Sequence, residues 1–408
     1  MTAPHPFLAH RLATIKPSPT LALTQKAAEL RASGKDILSL TAGEPDFDTP
    51  PWVCEAATKA MAAGQTKYTA VAGTPELRQA IVTKFSRDNH VDYTPNEIIV
   101  GTGGKQIIFN AILATVNKGD EVIIPDPYWV SYPDIVEIAE GTPVFLPCPQ
   151  SQGFKLTPDQ LEKAITPKTK WIILNSPSNP TGAMYSYDEL WQLAQVLRRH
   201  PHILIMCDDI YEHITFDGNS FHALVDVEKE LKDRTLMLNG VSKSYSMTGW
   251  RIGYAGGPLW LIKAMSILQS QSTSNASSIS QAAALAALEG PQDFLKKWVQ
   301  EFQDRRDFVV TSLNEIEGLE CLVPHGTFYA YPSCADYMGA TTPHGDHIET
   351  DEDFCAYLLD EAGVAAVPGS AFGRSPHFRI SYATDRNTLE KSLERLKTAL
   401  AQLKKMPL

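Results

Sequence analysis

The runs HILIMCD (202–208) and RTLMLNGVSKSYSMTGWRIGYAGG (234–257) decide the fold. Each carries a short, unbroken apolar run near its start, ILIMC (203–207) and LML (236–238), and each run stops at a polar residue. An apolar run with no polar alternation reads as a strand buried on both faces, the mark of a parallel sheet covered by helices. The same texture extends upstream. NEIIVG (96–101) precedes the helical KQIIFNAILATV, and DEVIIP (120–125) precedes WVSYPDIVEIA. TKWIIL (169–174) precedes a helical stretch near 187–199. Strands alternating with helical periods predict an α/β fold with a mostly parallel sheet.

Thr20 to Ser33 reads as a helix stopped by Gly34, after a Pro-rich, loop-like opening. After about residue 290 the pattern changes. A charged helix from Asp293 to Ile316 leads to strand candidates GTFYAYP, GVAAVP and FRISYA, then to an amphipathic helix from about Asn387. The division expected is an N-terminal arm with part of a small domain (1–45), a large domain (46–290) and a small C-terminal domain (291–408). The polar stretch 338–353 reads as a surface loop whose two histidines lack metal spacing.

The chain has 408 residues, enough for two or three domains and a large core. Lys and Arg total 36 against 47 Asp and Glu, a net charge of −11. That balance disfavours a nucleic-acid surface. No apolar run approaches the roughly 18 residues of a membrane span, and the first 20 residues lack a secretory apolar stretch. The six cysteines (54, 148, 207, 321, 334, 355) form no C-x-x-C pair. They are expected as buried or half-buried thiols in a cytoplasmic protein, with neither disulfides nor metal.

Several strand ends carry reactive groups. GTGGKQ (101–106) turns from a strand into a helix. Its glycines leave backbone N–H groups and a helix N-terminus free to face an anion, or simply make a tight turn. It is not G-x-G-x-x-G, which disfavours a dinucleotide. Asn179 in NPTG follows a strand, and Asp208 ends one with Tyr211 three residues on. Lys243 follows another among small residues, with Arg251 eight positions later. Singly, these read as turn, solvated carboxylate and loop lysine. Together they suit an aromatic aldehyde phosphate: a lysine for the aldehyde, a helix terminus and Arg for the phosphate, a carboxylate for a pyridine nitrogen. That molecule is pyridoxal phosphate.

The chain resembles the class I aminotransferases of pyridoxal-phosphate fold type I. Within them it is similar to the bacterial aspartate aminotransferase branch called Ib or Iγ, some members of which use prephenate. The likeness is carried by AGEPDFDTP (42–50), KYTAVAGTPELR (67–78), GGKQ (103–106), DPYWVSYP (126–133), NSPSNPTGA (175–183), DDIYEHI (208–214), 239–258, QSQSTSN (269–275) and RISYAT (379–384). It implies Lys243 as the Schiff-base and proton-shuttling residue and Asp208 as partner of the pyridine nitrogen. Tyr211 and Asn179 would bond the ring hydroxyl, and Trp129 would stack on the ring. Gly104, Lys105 and Arg251 would hold the phosphate, with Tyr68 reaching the phosphate of a neighbouring subunit in a homodimer. Arg379 would fork onto the substrate α-carboxylate, helped by Trp129, Asn179 and Gly43.

Two positions depart from relatives. Gly240 stands where many carry a phosphate-binding Ser, leaving Ser242 or a backbone amide as substitute. Ser270 stands where better-known relatives place an arginine for the substrate's distal carboxylate, and Lys105 matches the lysine that replaces it in the Ib branch. A phosphate-edge or solvated lysine is the other reading of Lys105. The expected reaction is ping-pong transfer from aspartate to 2-oxoglutarate. The alternatives are a prephenate, aromatic or other amino-acid aminotransferase on the same fold, or a C–S β-lyase on the same machinery. A transcription-regulator effector domain is disfavoured because only about 20 residues precede the first helix, too few for a DNA-binding module.

Overall fold

The computed structural model describes residues 7–12, 15 and 19–404. The expected Pro-rich opening loop lies largely outside them. Twelve strands are described: β1 (Leu38–Ser39), β2 (Ile98–Gly101), β3 (Glu121–Asp126), β4 (Thr142–Pro147), β5 (Thr169–Asn175), β6 (Leu204–Asp208), β7 (Thr235–Gly240), β8 (Gly253–Gly256), β9 (Tyr329–Ala330), β10 (Val364–Ala365), β11 (Val367–Pro368) and β12 (Phe378–Ser381).

Seven form one sheet in the order β2-β8-β7-β6-β5-β3-β4. All run parallel except β8, which is antiparallel to both neighbours. β6 shows why its sequence is apolar throughout. Leu204 and Met206 pack with Ile108 and Ile135 on one side, while Ile205 and Cys207 pack with Leu193 and Leu197 on the other. A helical layer on each face leaves no solvated side for a polar residue. β4 escaped the sequence reading. It is an edge strand, largely exposed, with Pro143 and Pro147 in it, and prolines are tolerated only where no inner neighbour needs the N–H.

The helices expected near 20–33, 187–199, 293–316 and from 387 are present, with ends set by caps. Pro51–Ala62, Pro75–Asn89, Leu259–Ser272, Ser278–Glu289 and Asp351–Glu361 are helices not expected; the last begins inside the stretch read as a surface loop, where Thr350 caps it. The first runs Pro19–Ala32, and Gly34 beyond it takes φ +91°. Ser186 accepts from Glu189 N at the start of Tyr187–Arg199, and Asp385 accepts from Thr388 N at the start of Arg386–Leu400. The charged helix spans Phe294–Asn314. β1 pairs in parallel with β10 through Leu38↔Val364, and Leu40 joins an apolar core with Phe302, Phe328, Phe354, Ile380 and Leu396. Both chain ends thus share one core.

In the 338–353 stretch, His344 meets Glu361 (3.0 Å) and His347 meets Thr341 (3.3 Å). Five cysteines are buried, but Cys54 is exposed, against expectation; it lies on the helix Pro51–Ala62, whose covered face is carried by Val53, Ala57 and Ala60. Among the described residues no helix is long and apolar enough to cross a membrane.

Candidate active site

Sheet register brings the strand ends together. Asn175 on β5 pairs across from Asp208 on β6, and Asp208 from Leu238 on β7. Gly253, opening the antiparallel β8, pairs with both Gly240 and Gly101. The carboxyl ends of β5, β6, β7 and β2 therefore share one edge with the start of β8. Open α/β sheets bind ligands in that crevice. A cavity of about 450 Å³ lies there, lined by Gly43, Gly104, Lys105, Trp129, Asn179, Asp208, Tyr211, Ser242, Lys243, Arg251 and Arg379. Of the residues expected to bind cofactor or substrate, Tyr68 alone is absent from this lining; it is 90% exposed.

Asp208 forms one wall. Tyr132 Oη donates to its Oδ2 at 2.6 Å, and Asn175 Nδ2 donates to its backbone carbonyl at 2.8 Å. Its other oxygen, Oδ1, is buried and has no hydrogen-bond partner. Burial pushes the carboxyl up to about 6, against the pull of the Tyr132 bond, the Ile210 N–H and Lys243. The neighbouring Asp209 is also buried and held well above the ordinary range, by burial first and then by Glu212 and Asp208. Glu212 is neutralised by the buried Lys84 ammonium and accepts from Asn89 (2.6 Å). His213 and Asp88 flank that pair. With Lys84 already among these carboxylates, the cluster is an ion-pair network beneath the site.

Lys243 Nζ donates to the Gly43 carbonyl. Burial lowers its amine to about 8; Glu44 opposes this, while Arg379 and Arg251 add to it. A lysine so placed is part-neutral near neutral pH and can serve as nucleophile and base.

At one end of the cavity the helix Gly104–Thr115 begins. Gly103 precedes it at φ +82°, and a Cβ there would lie 2.3 Å from Arg251 Nη2. A Cβ on Gly253 would lie 2.2 Å from Gly104 N. Only glycines let the guanidinium and β8 approach the helix start this closely, so backbone N–H groups and a cation converge as an anion cradle. Lys105 Nζ sits 4.9 Å from the Trp129 ring centroid, and burial and Arg251 lower its amine. At Gly240 a Cβ would meet Ile252 O at 3.1 Å, so a side chain there needs β8 to yield.

At the other end Arg379 is buried. Its Nη1 donates to Asn179 Oδ1 and its Nη2 to the Thr41 carbonyl, both at 2.9 Å. Its Nε has no partner. The guanidinium packs 4.3 Å from the Tyr329 ring centroid and 4.9 Å from that of Phe372. Tyr329 Oη is 3.0 Å from Tyr211 Oη.

Tyr132, Tyr329, Thr20 and Thr24 were not singled out from sequence, though all four line the cavity. Tyr132 falls inside DPYWVSYP and Tyr329 inside GTFYAYP, so tyrosines in those motifs were the available signal. Tyr211 and Tyr329 are separated by 118 positions in the chain, and nothing local ties them.

Residues 35–396 match the family model described as aminotransferase class I and II. The chain is 57% identical over 397 residues to an aspartate/prephenate aminotransferase of Cereibacter sphaeroides, covering 97% of this chain and 99% of that one. The crystal structure of the aspartate aminotransferase from Rhizobium meliloti superposes with a TM-score of 0.95 at 56% identity, over 97% of this chain and 99% of that one. The aspartate aminotransferase from Thermus thermophilus with maleate does so at 0.89 and 42% identity, over 96% and 99%. With sheet, cavity and sequence in agreement over nearly its whole length, the chain belongs to the aminotransferase class I and II family.

Proposed function

We propose that this aminotransferase uses pyridoxal phosphate to move the amino group of aspartate to 2-oxoglutarate, yielding oxaloacetate and glutamate by a ping-pong route. One observation carries the reading: Asp208 has one oxygen engaged by Tyr132 and the other buried without a partner, on the wall of a cavity that Lys243 and Arg379 also line. An unpartnered buried carboxylate oxygen is costly unless a cationic N–H comes to meet it. A protonated pyridine nitrogen is such a group, and the anion cradle at Gly103, Gly104 and Arg251 suits the phosphate of the same molecule.

When bound, pyridoxal phosphate supplies an electron sink for the bonds to the substrate Cα. The rest falls to the chain. Arg379 takes the α-carboxylate, its fork oriented by Asn179 and the Thr41 carbonyl and its free Nε available as a further donor. Lys243 Nζ would take and return the substrate Cα proton, a task suited to an amine lowered to about 8. Asp208 would hold a pyridine N–H, and Tyr211 and Asn179 would bond the ring hydroxyl. Trp129 would lie against the ring, and Ser242 would serve the phosphate in place of the Ser absent at Gly240. Gly43 borders the α-carboxylate site.

Lys105 binds the distal carboxylate, a role supported by its place in the lining and by the relative solved with maleate, a dicarboxylate. Tyr68, exposed in one chain, serves the partner's cofactor in a homodimer. Prephenate is a second amino acceptor; this 2-oxo acid too carries a carboxylate beyond its oxo-acid end, and a relative at 57% identity is named for both substrates.

The test is a panel of amino acids offered to the protein with pyridoxal phosphate, following loss of cofactor absorbance against keto-acid formation. Aspartate should lead, with oxaloacetate as product. Pyruvate released from cystathionine, without amino transfer, would instead mark a lyase.

A further inference from the structure

Tyr329 has no part in the roles above, yet it touches two groups that do. It is fully buried on β9, and β9 is paired with β12, the strand of Arg379, through Ser381↔Tyr329 and Ile380↔Ala330. Its ring lies 4.3 Å from the Arg379 guanidinium, and its hydroxyl is 3.0 Å from that of Tyr211. One side chain thus joins the substrate-carboxylate end of the cavity to the cofactor end.

A phenol has a single proton to donate. If Tyr211 gives its proton to the cofactor's ring oxygen, the bond between the two tyrosines is donated by Tyr329. The relay then runs one way, from Tyr329 to Tyr211 to the ring oxygen, and each donor strengthens the next. A bare cation over the Tyr329 ring draws electron density from it and improves its hydroxyl as a donor. A carboxylate seated on Arg379 cancels part of that pull.

We propose that Tyr329 is a positioning residue that relays occupancy of Arg379 by a substrate carboxylate to the cofactor through its hydroxyl bond with Tyr211. The inference rests on the pyridoxal-phosphate reading of the site. Its consequence is a change in how tightly the Lys243 nitrogen, once joined to the cofactor, holds its proton. The charged groups facing that nitrogen are Glu44 from the 43–50 segment, Arg379, Arg251 and Asp208. Arg379 and Arg251 favour loss of the proton, and Glu44 and Asp208 oppose it. A carboxylate on Arg379 therefore raises the titration midpoint directly. Weakened donation along the relay raises it further, because a less solvated ring oxygen shares the proton more strongly.

The experiment is an absorbance titration of the holoenzyme across the neutral range, with and without saturating succinate, an unreactive dicarboxylate. Tyr329→Phe keeps the ring under Arg379 and removes only the hydroxyl. Its midpoint without succinate should rise by about 0.3–1 pH unit, and the succinate-induced shift should shrink to about half the wild-type value or less. In a Tyr211→Phe background, adding Tyr329→Phe should move the midpoint no further, since the relay is already cut. Unchanged midpoint and succinate shift in Tyr329→Phe would overturn the inference while leaving the cofactor reading intact. Additive shifts in the double variant would do the same. A wild-type protein with no pH-dependent cofactor band would overturn the cofactor reading, and the relay with it.

Discussion

Asp208 sits where a carboxylate costs stability. Its ordinary value is 3.8, and in the fold burial carries it to about 6. The folded chain therefore binds a proton more tightly than the unfolded one. The stabilising effect of that proton is complete below 3.8 and is lost as pH rises through about 6. In the apoprotein, Asp208→Asn should thus raise stability at pH 8 by about 1–3 kcal/mol, with the gain vanishing at low pH where the wild-type carboxyl is neutral. Thermal melts of the two apoproteins at both pH values check this; an equal offset throughout would point to packing. With cofactor the order should reverse, since a neutral amide cannot hold a charged pyridine N–H, and most activity should be lost. Lys105 gives a sharper test of substrate choice. Lys105→Ala should lower kcat/KM for aspartate about ten- to a hundred-fold while sparing phenylalanine, because one charge-assisted contact is lost only for the dicarboxylate. An equal drop for both would assign Lys105 to the phosphate or the fold. The residues at strand ends were legible because a polar group closing an apolar run stands out. Tyr132 and Tyr329 were not, because each is set by a partner far along the chain, Asp208 for Tyr132 (2.6 Å) and Tyr211 for Tyr329 (3.0 Å).

At the scale of elements, the anion cradle depends on how closely β8 passes the start of the helix Gly104–Thr115. Gly253→Ala places a methyl 2.2 Å from Gly104 N, and neither backbone can give way without moving strand or helix. Overpacking of this kind costs about 1–3 kcal/mol, and here it should also weaken pyridoxal-phosphate binding, because the displaced N–H groups are the cradle. A melt and a cofactor titration measure the two effects; cofactor affinity unchanged alongside a lowered melt would separate the cradle from this contact. The inner strands were readable from sequence because burial on both faces leaves an unbroken apolar run. The antiparallel sense of β8 was not readable, since GYAG carries no directional signal and its orientation is set by pairing with β2 and β7. β4 was missed for the reason edge strands generally are: half its side chains face water and its prolines resemble a loop.

At the scale of the whole molecule, both chain ends meet in one core, and we propose a division into an arm with part of a small domain (1–45), a large domain (46–290) and a small C-terminal domain (291–408). Tyr68 at 90% exposure and Ile267 at 67% leave apolar surface that a second copy would cover. The protein should sediment at twice the chain mass at micromolar concentration, and Tyr68→Phe should weaken cofactor retention although Tyr68 lies outside its own chain's cavity. A fully active monomer would refute the shared site. Lys243 should carry pyridoxal phosphate within the cavity walled by Asp208 and Arg379. Borohydride reduction of the cofactor-loaded protein, followed by peptide mapping, decides whether it does. A single pyridoxyl label on Lys243 is the expected result; a label on Lys105 instead, or none on Lys243, would overturn the assignment of the site.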